Sequence, residues 1–154
     1  MTILTVRIAA LAVAITLLGA VTAFAVDTDE TPASAATAGD LDSARALVDA
    51  RKYDEAIPAL QKLDQESPNN PDILNLIGFS LRKTGKMSDA FDYYNRALAL
   101  NPHHRGANEY LGELYLETKQ PEKAKERLAV LHQDCGDCEE YEDLEKQVAQ
   151  YAAQ

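Results

Sequence analysis

A period of 34 residues runs through the middle of the chain. Small residues recur at Ala44, Gly78 and Gly112, and again at Ala56, Ala90 and Ala124. Bulkier side chains recur at Leu47, Leu81 and Tyr115 and, in a second column, at Leu60, Tyr94 and Leu128. A further column holds Leu63, Ala97 and Leu131, and Pro68 is answered by Pro102. A fixed period of this length marks stacked supersecondary units, none of which can bury its apolar face alone.

The clearest copy spans Pro71 to His104 and reads as two helices folded back on each other. Two antiparallel helices approach closely only where one side chain at the crossing is small, so Gly78 and Ala90 leave room that Leu81 and Tyr94 fill. Gly85 stands where the first helix must stop and tolerates a left-handed helix end. Ser88 is the expected N-cap of the second helix, and Pro102 is expected to break that helix and start the next. In the first copy Asp40 is expected to cap a helix running to about Arg51, and Asp54 to cap its partner. Pro58 then falls at the edge of a first turn, where it removes at most one helical bond. The third copy has Pro121 at a helix start, but Asn108 stands where Leu74 does, and Gly136 where Pro68 and Pro102 predict proline.

Leu74, Ile77, Gly78, Leu81, Ala90, Tyr94, Ala97 and Pro102 occupy the signature columns of the tetratricopeptide repeat, and the 34-residue period with two helices per unit is its period. Residues 37 to 136 resemble that family. The resemblance implies an all-α, right-handed α-solenoid of three helix-turn-helix repeats over 40–136, closed by a capping helix over 137–154. Tyr141, Leu144, Val148 and Tyr151 fall on one face of that last helix and would cover the apolar edge of the third repeat. In the family, the first helices of successive repeats line a concave groove that holds a peptide or a partner's helix. Carrying those positions across gives Asn75, Phe79 and Arg82 from the second repeat and Glu109, Glu113 and Leu116 from the third. Phe79 lies off the core columns, so it is either an anchor for a partner or packing against a neighbouring repeat.

Residues 1–25 carry one charged side chain, Arg7, followed by an apolar run ending Ala23-Phe24-Ala25. Such an ending predicts a secretory signal peptide cleaved before Val26, with a retained N-terminal anchor as the alternative. Export to the periplasm or secretion follows as an expectation. Residues 26–39 are short, polar and small, and are expected to form a flexible linker. The formal charge is −10, and loss of the leader removes Arg7 and no acid, giving −11. A chain this acidic repels phosphate backbones, which argues against nucleic acid as a partner.

One local motif could carry reactivity: Cys135-Gly136-Asp137-Cys138. In an oxidising compartment it is expected to form a structural disulfide pinning the last repeat to its covering helix. A redox-active dithiol, or a metal site completed by His132, are the alternatives. No triad order, phosphate-cradling glycine loop or helical zinc-protease motif is legible. The expectation is therefore a non-enzymatic interaction adaptor or scaffold of the cell envelope, without cofactor or metal, binding another protein or peptide in the groove. A thiol-disulfide or metal-handling protein using the Cys135/Cys138 motif is the alternative.

Overall fold

A computed structural model describes residues 33–153, with side chains from residue 39 onward. The expected leader, 1–25, and positions 26–32 of the expected linker lie outside the described residues. Seven helices follow one another: α1 (Ala33–Asp49), α2 (Tyr53–Glu66), α3 (Pro71–Lys83), α4 (Met87–Leu100), α5 (Arg105–Glu117), α6 (Pro121–Cys135) and α7 (Glu139–Ala152), with no strand among the described residues. They pair as α1/α2, α3/α4 and α5/α6, and each pair stacks on the next. The helix α7 packs on both α5 and α6, which makes it the inner helix of a half-built fourth unit.

The turn inside each pair is the same device used three times. Arg51, Gly85 and Lys119, spaced 34 apart, all have positive φ, at 59°, 80° and 59°. After each, an amide reaches back five residues: Lys52 to the Leu47 carbonyl (2.9 Å), Lys86 to Leu81 (2.9 Å) and Gln120 to Tyr115 (2.7 Å). This is a Schellman closure, and it satisfies carbonyls that the helix end would otherwise leave open. The same turn explains why Asp54 and Ser88 are not N-caps. Both sit second in their helices, because the carbonyls of Lys52 and Lys86 are already placed to receive the Ala56 (2.9 Å) and Ala90 (3.0 Å) amides.

Between pairs the helix starts are capped by side chains. Asn70 Oδ1 accepts from the Asp72 amide at 2.9 Å and the Ile73 amide at 3.4 Å, and His104 Nδ1 accepts from the Ala107 amide at 3.0 Å. Pro71 and Pro121 take the first helical position of α3 and α6, whereas Pro102 stays in the turn and does not begin α5. Asp40 is no cap either. The helix α1 starts at Ala33, inside the stretch expected to be linker, because the high helix propensity of its alanines outweighs the loop tendency of the small polar residues between them.

Packing explains the small-residue columns. A Cβ on Gly78 would lie 2.8 Å from the Tyr94 ring, and one on Gly112 would lie 2.5 Å from a Leu144 methyl. Thus the second unit fills its glycine notch from its own second helix, while the third fills it from α7. Leu144 is fully buried with Leu116, Ala124 and Leu131, and Tyr115, Leu128, Tyr141, Val148 and Tyr151 close around them. Burying one such leucine is worth about 1.5–3 kcal/mol, so α7 is held by its apolar stripe. Asn108, which breaks the Leu74 column, is wholly buried. Its Nδ2 donates to the carbonyls of Pro102 (3.0 Å) and His104 (3.1 Å), and its Oδ1 accepts from Arg127 Nη1 (3.3 Å). The polar substitution is tolerated because each of its groups finds a partner.

Candidate functional site

The inner helices α1, α3 and α5 enclose a groove of 710 Å³ lined by Arg45, Val48, Asp49, Arg51, Tyr53, Leu76, Phe79, Lys83 and Tyr110. Its floor is an aromatic ladder. The Tyr53 and Phe79 rings meet edge to face at 6.0 Å, and Phe79 and Tyr110 tilt together at 4.7 Å. Lys83 Nζ stands 5.2 Å over the Phe79 ring. A second hollow of 480 Å³ adjoins it, shares Arg45 and Leu76, and is lined also by Asn75, His104, Arg105 and Glu140. No residue of α7 lines the larger groove, so the covering helix extends the inner row without plugging it.

Of the six positions expected on the concave face, the half-buried Phe79 alone opens on the large groove. Asn75 lines the adjoining hollow, and its buried Oδ1 has no hydrogen-bond partner among the described residues. Leu116 borders a third hollow between α5 and α7, with Gln147 and Tyr151. Arg82, Glu109 and Glu113 are buried in a polar layer joining α3, α5 and α7 and are unavailable as a recognition surface. Arg82, 4% exposed, pairs with Glu113 and, at 2.7 Å, with Glu117; Gln147 donates to Glu113 from α7. The residues that face the groove sit one position further along each helix: Leu76 after Asn75, Lys83 after Arg82, Tyr110 after Glu109. One residue turns the direction of a side chain by about 100°.

The electrostatics of that layer follow from its burial. Desolvation works against the Arg82 charge, but the facing Tyr94 hydroxyl, Glu113 and Glu117 more than offset it and hold the guanidinium above its ordinary value. Glu109 is pushed up to about 8, first by burial and then by the carboxylates of Glu113, Asp143 and Glu140, with Arg82 opposing. Tyr110 is pushed up to about 12, again first by burial and then by Glu109 and Glu113. The layer is thus short of positive charge, and α7 reaches it through the hydrogen bond that Gln147 donates to Glu113.

At the α6–α7 junction Cys135 and Cys138 face each other with Cα atoms 5.6 Å apart and sulfurs at bonding distance. His132 turns its ring toward Tyr141, centroids 5.3 Å apart, and among the described residues no three His, Cys, Asp or Glu side chains are grouped to hold a metal. The two turn histidines tie neighbouring units together: His103 Nδ1 lies 2.8 Å from Asp134 and His104 Nε2 lies 3.0 Å from Asp72. With its Nδ1 accepting from Ala107, His104 must carry its proton on Nε2 and donate to Asp72.

Stacked two-helix units with an inner aromatic groove define a helical-repeat protein. Family models of the tetratricopeptide repeat match residues 41–104 and 81–148, overlapping to cover the helical array from α1 into α7. The chain belongs to the tetratricopeptide repeat family. Among solved structures it is similar to the first such domain of Spaghetti (RPAP3) bound to an HSP90 peptide, at 21% identity and TM-score 0.68, covering 77% of this chain and 94% of that one. The Yersinia enterocolitica type III secretion chaperone SycD, in complex with a peptide of the translocator YopD, is similar at 14% identity and TM-score 0.67, covering 77% and 91%. The Sgt2 domain from Aspergillus fumigatus follows at 16% identity and TM-score 0.67, covering 76% and 79%. These likenesses are of fold. No curated protein matches the sequence significantly.

Proposed function

We propose that the protein is a non-enzymatic adaptor or scaffold of the cell envelope that holds a peptide or partner helix in the groove of α1, α3 and α5. The observation that carries this reading is the groove itself: a preformed 710 Å³ hollow floored by Tyr53, Phe79 and Tyr110. Rigid, half-exposed aromatics are the side chains that supply most binding energy in interfaces. No serine, threonine, cysteine or histidine lines the groove, so what it offers is contact surface. Two structural neighbours are described as peptide complexes, which supports a peptide occupant here. Placement in the periplasm or outside the cell rests on the small-x-small ending of the leader. In that compartment the facing cysteines form a structural disulfide.

A photo-reactive amino acid placed at Lys83, in the groove, and at Asp92, exposed on α4, tests the reading in the native host. Crosslinks to a discrete polypeptide from position 83, absent from position 92 and lost on Phe79→Ala, are expected. Equal capture from both positions, or none from either, refutes the groove assignment. The exported form should begin at Val26 by intact mass; an unprocessed mass in the membrane fraction would indicate the anchor instead.

A further inference from the structure

We infer that the Cys135–Cys138 bridge is a redox switch for the covering helix: a dithiol that opens it loosens α7 from α5 and α6, and re-oxidation seats α7 again. The switch is independent of what the groove holds. The bridge joins the last residue of α6 to the residue before α7, with only Gly136 and Asp137 between them. Within that ring Gly136 stands at φ 73° and ψ −74°, and the Asp137 amide donates to the Cys135 carbonyl at 2.8 Å. This is a γ-turn of the rare, strained hand, which a chain free to relax leaves. Cys138 also carries the start of α7, its carbonyl accepting from the Tyr141 and Glu142 amides at 3.0 Å each. The direction in which α7 leaves α6 is therefore set inside the bridged ring.

What else holds α7 is one apolar stripe around Leu144, the hydrogen bond from Gln147 to Glu113 and the loose Arg105–Glu140 pair at 3.7 Å. Against these, α7 brings Glu140 and Asp143 toward Glu109 of α5. It packs on α5 and α6 alone, and an element held from one side opens before the helices sandwiched between units. Closing so short a loop disfavours the undocked chain by about twentyfold, and reduction gives that factor back. Neither cysteine is buried, which admits a thiolate. The thiolate of a dithiol attacks one cysteine sulfur, the S–S bond breaks, and its electron pair leaves on the other cysteine, which takes up a proton. The second thiol of the reductant, as its thiolate, then displaces the first cysteine from the mixed disulfide. Both cysteines end as thiols and the reductant as a disulfide, two electrons and two protons having passed. A monothiol would be expelled again by the freed cysteine held close by, so a dithiol is the fitting class.

The test is native-state hydrogen exchange, read by mass spectrometry over a series of low urea concentrations, on the oxidised protein, the same protein reduced with dithiothreitol, and the re-oxidised protein. After reduction the α7 amides are expected to exchange at least about tenfold faster, through an opening that low urea barely changes, while α3 amides keep a steep urea dependence. Re-oxidation should restore the slow rate. The double variant Cys135→Ser/Cys138→Ser should match the reduced protein and ignore dithiothreitol. In an equimolar mixture of reduced and oxidised dithiothreitol, alkylation should find the bridge mostly open. An unchanged α7 rate on reduction overturns the switch, and so does acceleration of α7 and α3 together with one urea dependence, which would make the bridge a brace for the whole fold. A bridge that stays closed in the equimolar mixture, or a double variant that still responds to dithiothreitol, overturns it as well.

Discussion

Replacing Glu109 by glutamine should stabilise the protein, and by an amount that grows with pH. Glu109 is 7% exposed and its carboxyl titrates at about 8, because burial and the carboxylates of Glu113, Asp143 and Glu140 disfavour its charge. In the unfolded chain it ionises at the ordinary 4.5. Between those values the folded state binds the proton that the unfolded state has lost, so wild-type stability falls as pH rises from about 4.5 to about 8 and then levels. The full displacement corresponds to an upper bound of about 5 kcal/mol. The effective dielectric at such a site is well above that of a dry interior, which leaves about 1–3 kcal/mol. Glutamine keeps the shape and has no proton to lose. Urea unfolding at pH 5, 7 and 8.5 should show the two proteins nearly equal at pH 5 and Glu109→Gln more stable by about 1–3 kcal/mol at pH 8.5. A difference that does not change with pH, or a variant less stable at pH 8.5, would refute the idea that Glu109 is buried among like charges.

Other outcomes follow from the same geometry. Arg82→Ala strands Glu113 beneath α7, and urea unfolding should register a loss of about 3–5 kcal/mol; a loss below about 1 kcal/mol would mean that the polar layer is open to water. Lys119→Gly removes a side chain from a residue at φ 59° and should raise stability by about 0.5–1 kcal/mol, read as a higher urea midpoint with unchanged slope. Gly112→Val drives a branched side chain into Leu144 and should cost about 1–3 kcal/mol, with α7 amides exchanging faster than those of α3 in hydrogen-exchange mass spectrometry. In protein isolated from the exported fraction Cys135 and Cys138 should resist alkylation until reduced, and reduction should cost about 2 kcal/mol because the loop they close is short.

The 34-residue period by itself fixed what kind of object the chain becomes. It placed the glycine and alanine notches and the Tyr94 that enters the one at Gly78, while Gly85 at the left-handed turn and the apolar stripe of α7 were legible from local helix patterns. The notches repeat because each unit must present the same packing face to the next, and a repeated face is written in the sequence. Local starts and stops were less legible. Arg51 and Lys119 adopt the turn conformation that Gly85 advertises, since a Schellman closure can hold a lysine or arginine there at modest strain. Asp54 and Ser88 look like caps but are displaced by that closure.

The recognition surface was decided only in three dimensions. Whether a polar side chain on an inner helix faces a partner or a neighbouring helix depends on the angle and spacing between units, to which the period is silent. Arg82 meets Glu113 across one interface and Gln147 reaches Glu113 across the next. The polar layer these contacts build holds Arg82, Glu109 and Glu113 inside, while Leu76, Lys83 and Tyr110 line the groove beside Phe79. Burial also makes Glu109 titrate near neutral pH, and burial is a property of the assembled array.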